Sequence, residues 1–123
     1  MKTKAHSLRS FIGAKDFATS RAFYTALGFS EIVIDPKMSL FRVDEELSFY
    51  LQDYYVKDWI ENSMLLLEVQ DLEEYWVELA EKNLTTQFPG VRFSGIKENA
   101  WGREIFMHDP AGVLWHFCEF SNR

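Results

Sequence analysis

Residues 101–117 read WGREIFMHDPAGVLWHF, two strand-like runs separated by a turn. Asp109-Pro110-Ala111-Gly112 carries the turn signal: the proline sets one φ, and the glycine accepts a left-handed one. The runs on either side, 102–108 and 113–120, are apolar and aromatic enough to read as strands. Moving towards the N-terminus, 91–97 gives a third strand signal, and 65–70 (LLLEVQ) a fourth that runs into Asp71. Between these last two, Leu72, Tyr75, Trp76, Leu79 and Ala80 fall on one helical face. Asp71 is placed to cap that helix, Glu74 stands where a capping-box partner belongs, and Glu78 precedes Lys82 by one turn.

The same plan recurs in the first half. Residues 10–15 (SFIGAK) run into Asp16, and Ala22, Phe23, Ala26 and Leu27 form the helical stripe. Gly28 lies 12 positions after Asp16, and Asn83 lies 12 after Asp71. Both residue types tolerate the left-handed geometry that ends a helix. Strand signals follow at 30–35, 40–43 and 47–52, with Asp35-Pro36 and Asp44-Glu45 as turns. The chain therefore reads as βαβββ twice, an α+β protein with a single domain over 1–123. Module one covers about 7–52, the crossover about 53–62 and module two about 63–120. The crossover carries Tyr54, Tyr55 and Trp59.

Composition narrows the function. With 123 residues, one core is affordable and two are not. A net charge of −6 and the lack of any Lys/Arg cluster argue against nucleic acid and favour neutral or cationic ligands at long range. No apolar run is long enough for a membrane span, and residues 1–9 contain no apolar stretch of the secretory kind. The lone cysteine, Cys118, has no internal partner and suits a reducing compartment, so the expected location is the cytoplasm.

Two segments carry a resemblance. SRAFYTALGF (20–29) and the 101–117 stretch resemble the vicinal-oxygen-chelate superfamily of glyoxalase I, extradiol dioxygenases and bleomycin-resistance proteins. The second segment looks closest to bleomycin-resistance proteins, in which a WGRE-F-x-x-DPAG stretch precedes the last strand. The resemblance implies two βαβββ modules forming a curved sheet around a cleft, completed in a homodimer. It also implies four places where the superfamily's enzymes hold a divalent metal. Here these fall on Arg9, Met64, Phe49 or Tyr50, and His116. Arginine cannot bind a cation and methionine is a poor ligand for hard metals, so no metal and no cofactor are expected. Ser10 replaces the proline that shapes the exchanged N-terminal arm of the antibiotic-binding members.

The function that follows is metal-free sequestration of a planar, cationic antibiotic such as a bleomycin. The binding residues are Trp101, Tyr50, Phe49, Trp59, Tyr54, Tyr55, Met64, Arg103 and His116. Aromatic faces supply stacking, arginine meets an anionic group, and methionine fills an adaptable wall. Each has a plainer reading as core, loop plug, ion pair or dimer contact. His116 reads as a strand histidine bonded to a neighbour, and Glu104 as a brace to backbone or to the adjacent arginine. The alternatives are a glyoxalase- or dioxygenase-like lyase or isomerase with His116 as acid or base, a rearranged metal site of His6, His108 and His116, and a module whose aromatic crossover docks a protein.

Overall fold

The computed structural model describes residues 2–122. Its first half runs β1 (Ser10–Gly13), α1 (Phe17–Leu27), β2 (Ser30–Asp35), β3 (Met38–Arg42) and β4 (Ser48–Gln52). A single-turn helix, α2 (Lys57–Ile60), occupies the crossover. The second half runs β5 (Met64–Glu68), α3 (Leu72–Glu81), α4 (Leu84–Gln87), β6 (Arg92–Phe93), β7 (Lys97–Asn99), β8 (Gly102–His108) and β9 (Leu114–Phe120). The βαβββ plan holds in both halves, and the fold is α+β with two open, curved sheets.

The sheets are built alike. The first has the order β1-β4-β3-β2 and the second β5-β9-β8-β6, with β7 also paired to β8. In each, the strand before the helix lies parallel to the last strand of its half, β1 beside β4 and β5 beside β9. A parallel neighbour needs a long connection, which the helix and intervening strands provide. Both helices start where aspartate accepts a backbone bond: Asp16 Oδ1 from the Thr19 N–H and Asp71 Oδ1 from the Glu74 N–H, each 3.1 Å.

Three details differ from the sequence reading. The strand expected over 91–97 is broken into β6 and β7, because Gly95 takes a left-handed φ of 75° between them. The buried face of α1 is Ser20, Phe23, Tyr24 and Leu27, with Ala22 turned outward; Ala80 of α3 is exposed as well. Large side chains displace alanines from the packed face because they bury more area. Asn83 has φ 53°, but it leads into α4 rather than a strand.

Each sheet buries one face against the helices, and the two buried faces meet in a single core. Phe49 of β4 packs edge-on against Trp115 of β9 at 5.3 Å, and Tyr24 of α1 touches both. One polar group lies between the halves. Asp109, 1% exposed, accepts the Tyr24 hydroxyl at 2.6 Å and the backbone N–H groups of Ala111, Gly112 and Val113. The Tyr24 oxygen in turn accepts the Trp115 Nε1–H at 2.9 Å. The turn seen in the sequence is thus wound around its own aspartate and tied to the first helix. No helix of the described residues is long and apolar enough to cross a membrane.

Candidate functional site

Strand alternation sends the other face of each sheet to the outside. On the first sheet this face carries Phe11 and Tyr50, paired across β1 and β4 and stacked at 4.7 Å. Arg9 Nη1 donates to the Tyr50 hydroxyl at 2.9 Å, and its guanidinium lies over the Tyr50 ring. Phe49 points the opposite way into the core, 2% exposed, which settles the one-residue ambiguity in β4.

The open face of the second sheet is laid out in cross-strand rows. Met64, Leu114 and His108 form one row, and Leu66, His116 and Phe106 the next. Glu68, Cys118 and Glu104 form the third. Met64 is 65% exposed and Leu66 57%, so the β5 side of this face presents an uncovered apolar edge. Beside the first two rows, a hollow of about 300 Å³ is lined by Arg92, Ser94, Phe106, His108 and Leu114, with Phe93 at its edge.

His116 is the imidazole at the centre of this face. Its Nδ1 lies 3.2 Å from Glu104 Oε1, and Asn99 Nδ2 donates to the second carboxylate oxygen at 2.7 Å. Phe106 packs edge-on against the imidazole at 5.1 Å. Glu104 therefore braces His116 and not the neighbouring arginine. Cys118 is fully buried, and burial together with Glu104 and Glu68 pushes its thiol up to about 11, so it offers no thiolate. Burial and the adjacent Arg92 hold His108 below the ordinary imidazole range.

The candidate residues separate accordingly. Met64 and His116 share the open face of the second sheet, and Trp101 packs on Phe120 at the far end of β8 and β9. Tyr50 belongs to the open face of the first sheet. Arg103 lies on the other side of β8, paired with Glu73 of α3 and with Glu119. Tyr54 and Trp59 pack together beside Gly13 at the end of β1, and Tyr55 bonds to Glu61 and lies under Lys15. Sequence reasoning passed over Leu66, Phe106 and Arg92, and weighed His108 only as a metal ligand beside His6 and His116. Period-two alternation through 64–68 and 102–108 marks the first two and His108, whereas Arg92 is hidden by the break at Gly95.

The donor set at the four places that the sequence resemblance singled out does not fit a divalent metal. Arg9 is a cation, Met64 a thioether, and Tyr50 is bonded to Arg9, which leaves His116 alone. Among the described residues, no three His, Cys, Asp or Glu side chains come together as ligands. A larger hollow of about 530 Å³ lies at the junction of the halves, rimmed by Asp44, Asp71, Glu74 and Glu78. None of the candidate residues lines it.

Similarity to solved structures matches the fold. The bleomycin-binding protein from bleomycin-producing Streptomyces verticillus, complexed with copper(II)-bleomycin, superposes with a TM-score of 0.78 at 22% identity over 94% of this chain and 97% of that one. A bleomycin resistance determinant encoded on the transposon Tn5 gives a TM-score of 0.75 at 21% identity, covering 95% and 99%. TnmS3, an antibiotic binding protein from Streptomyces sp. CB03234, gives 0.76 at 21%, covering 98% and 100%. No protein-family model matches the chain, and no curated protein matches its sequence. The chain has the fold of the bleomycin-binding and bleomycin-resistance proteins over nearly its whole length.

Proposed function

We propose that this chain is a small-molecule binding protein that sequesters a planar ligand, of the antibiotic kind, on its open sheet faces and without a metal. One observation carries the reading: each sheet turns one face to the core and leaves on the other an aromatic or apolar surface with a fixed polar group. These are Phe11 and Tyr50 with Arg9 on the first sheet, and Met64, Leu66 and Phe106 with His116 on the second. Such surfaces match planar ligands, which bind by stacking and are oriented by few polar contacts. The ligands of the structural neighbours, bleomycin for the S. verticillus protein and an antibiotic for TnmS3, support it. So does the donor set that fails to make a metal site.

The net charge of −6 supports a cationic ligand, drawn in from a distance. A homodimer completes the reading by covering the exposed apolar side chains of β2, Ile32, Val33 and Ile34. The cytoplasm suits the single buried thiol.

The test is titration of the purified protein with bleomycin, followed by tryptophan emission, with and without a chelator. Saturable quenching at about one site per chain, unchanged by the chelator, is expected. The lack of any saturable change sinks the antibiotic assignment, and near-stoichiometric metal lost on His116→Ala overturns the metal-free one. The braced imidazole favours a second reading, a lyase or isomerase with His116 as acid or base. It predicts turnover of methylglyoxal–glutathione adducts that disappears in His116→Ala.

A further inference from the structure

We propose that the open face of the second sheet reads the two ends of a planar aromatic ligand: an O–H or N–H donor at His116 Nε2 and an anionic group at Arg92. The proposal rests on the sheet-face binding read above and names what the second sheet selects, where Arg92 makes the local field favour an anionic group over the cationic ligand that the net charge favours at long range.

The His116 end follows from its brace. With both oxygens of Glu104 engaged by His116 and Asn99, the carboxylate is fixed, and Nδ1 is the nitrogen that carries the proton towards it. In the neutral ring the remaining nitrogen is then an acceptor. Nε2 has no partner among the described residues, and it shares its row with the exposed Leu66 and the edge-on ring of Phe106. A flat ring lying on Phe106, between His116 and the Arg92 hollow, thus meets an acceptor held at a constant orientation.

Polarity across the face supplies the other end. Arg92 pairs with His108 across β6 and β8, and both line the hollow beside Phe106. Arg92 forms no ion pair among the described residues, so its charge is open to a ligand. The third row carries Glu68 and Glu104 on the far side of His116. An anionic group is therefore attracted towards the hollow and repelled from the opposite end. From the Arg92 row to the His116 row is about 7 Å along the strands and about 10 Å across two strand spacings. The arginine side chain shortens that span to the length of one substituted aromatic ring.

The probes are para-coumarate, cinnamate, which lacks the hydroxyl, and para-vinylphenol, which lacks the carboxylate. Each is titrated into the full chain by equilibrium dialysis. Wild-type protein is expected to hold para-coumarate about tenfold more tightly than either analogue, the factor that one well-made polar contact provides. His116→Phe should bind para-coumarate and cinnamate alike while still disfavouring para-vinylphenol. Arg92→Gln should show the reverse, with circular dichroism checking that both variants are folded. Equal affinity of wild-type protein for the three probes overturns the proposal without any variant and leaves the sheet-face reading standing. Preferences that persist in both folded variants overturn it too. If none of the probes saturates, this proposal falls, and the bleomycin titration decides the sheet-face reading separately.

Discussion

Gly102, the second residue of the WGRE stretch, has φ 150°, and a Cβ there would lie 2.1 Å from the Glu119 carbonyl oxygen. The glycine lets β8 begin tightly against β9 and sets the neighbouring Trp101 on Phe120. Gly102→Ala should lower stability by about 1–3 kcal/mol, the usual cost of overpacking, read as a lower urea midpoint. Tyr24→Phe leaves the Trp115 indole without its acceptor and Asp109 one donor short in the core. A loss of about 1–3 kcal/mol is expected for such orphaned groups, and a variant as stable as wild type would show that the pair contributes nothing. His108 gives a pH dependence. Its folded form takes up a proton less readily than the ordinary 6.5, so as pH falls below 6.5 the unfolded chain binds the proton first and stability declines. His108→Gln should flatten the dependence of the urea midpoint in that window. Glu104→Gln acts through the imidazole: it should leave para-coumarate bound but erase its advantage over cinnamate.

The elements were legible to unequal degrees. Asp16 and Asp71 announced both helix starts because a cap is a local device, written in the residue that makes it. Asp71→Ala should accordingly cost about 1 kcal/mol in chemical denaturation. In β4, by contrast, Phe49 and Tyr50 are adjacent aromatics, and nothing in their chemistry says which one faces in; Trp115 and Tyr24, distant in sequence, decide it. The Glu104–His116 brace was missed for a related reason. The two residues are diagonal neighbours across β8 and β9, so seeing them as a pair requires the hairpin register, while the arginine beside Glu104 offered a nearer partner. Arg103 turned out to serve α3 instead, because odd positions of β8 face the helix.

At the scale of the whole molecule, β2 is an edge strand with Ile32, Val33 and Ile34 all more than 40% exposed. Uncovered edges of this kind promote association. Sedimentation should therefore detect a dimer at micromolar concentration that Val33→Lys weakens, and wild-type protein that stays monomeric throughout would remove the dimer from the proposed function.

The Tyr24–Asp109 contact has a further consequence. It is a single polar key in an aromatic seam, and its lock and bit belong to different halves of the chain. A half-chain would find the same complement in any other copy and could seat in only one orientation. Two polypeptides cut within the crossover should then find each other in a mixture and rebuild the core, each recognising its missing half by one hydroxyl.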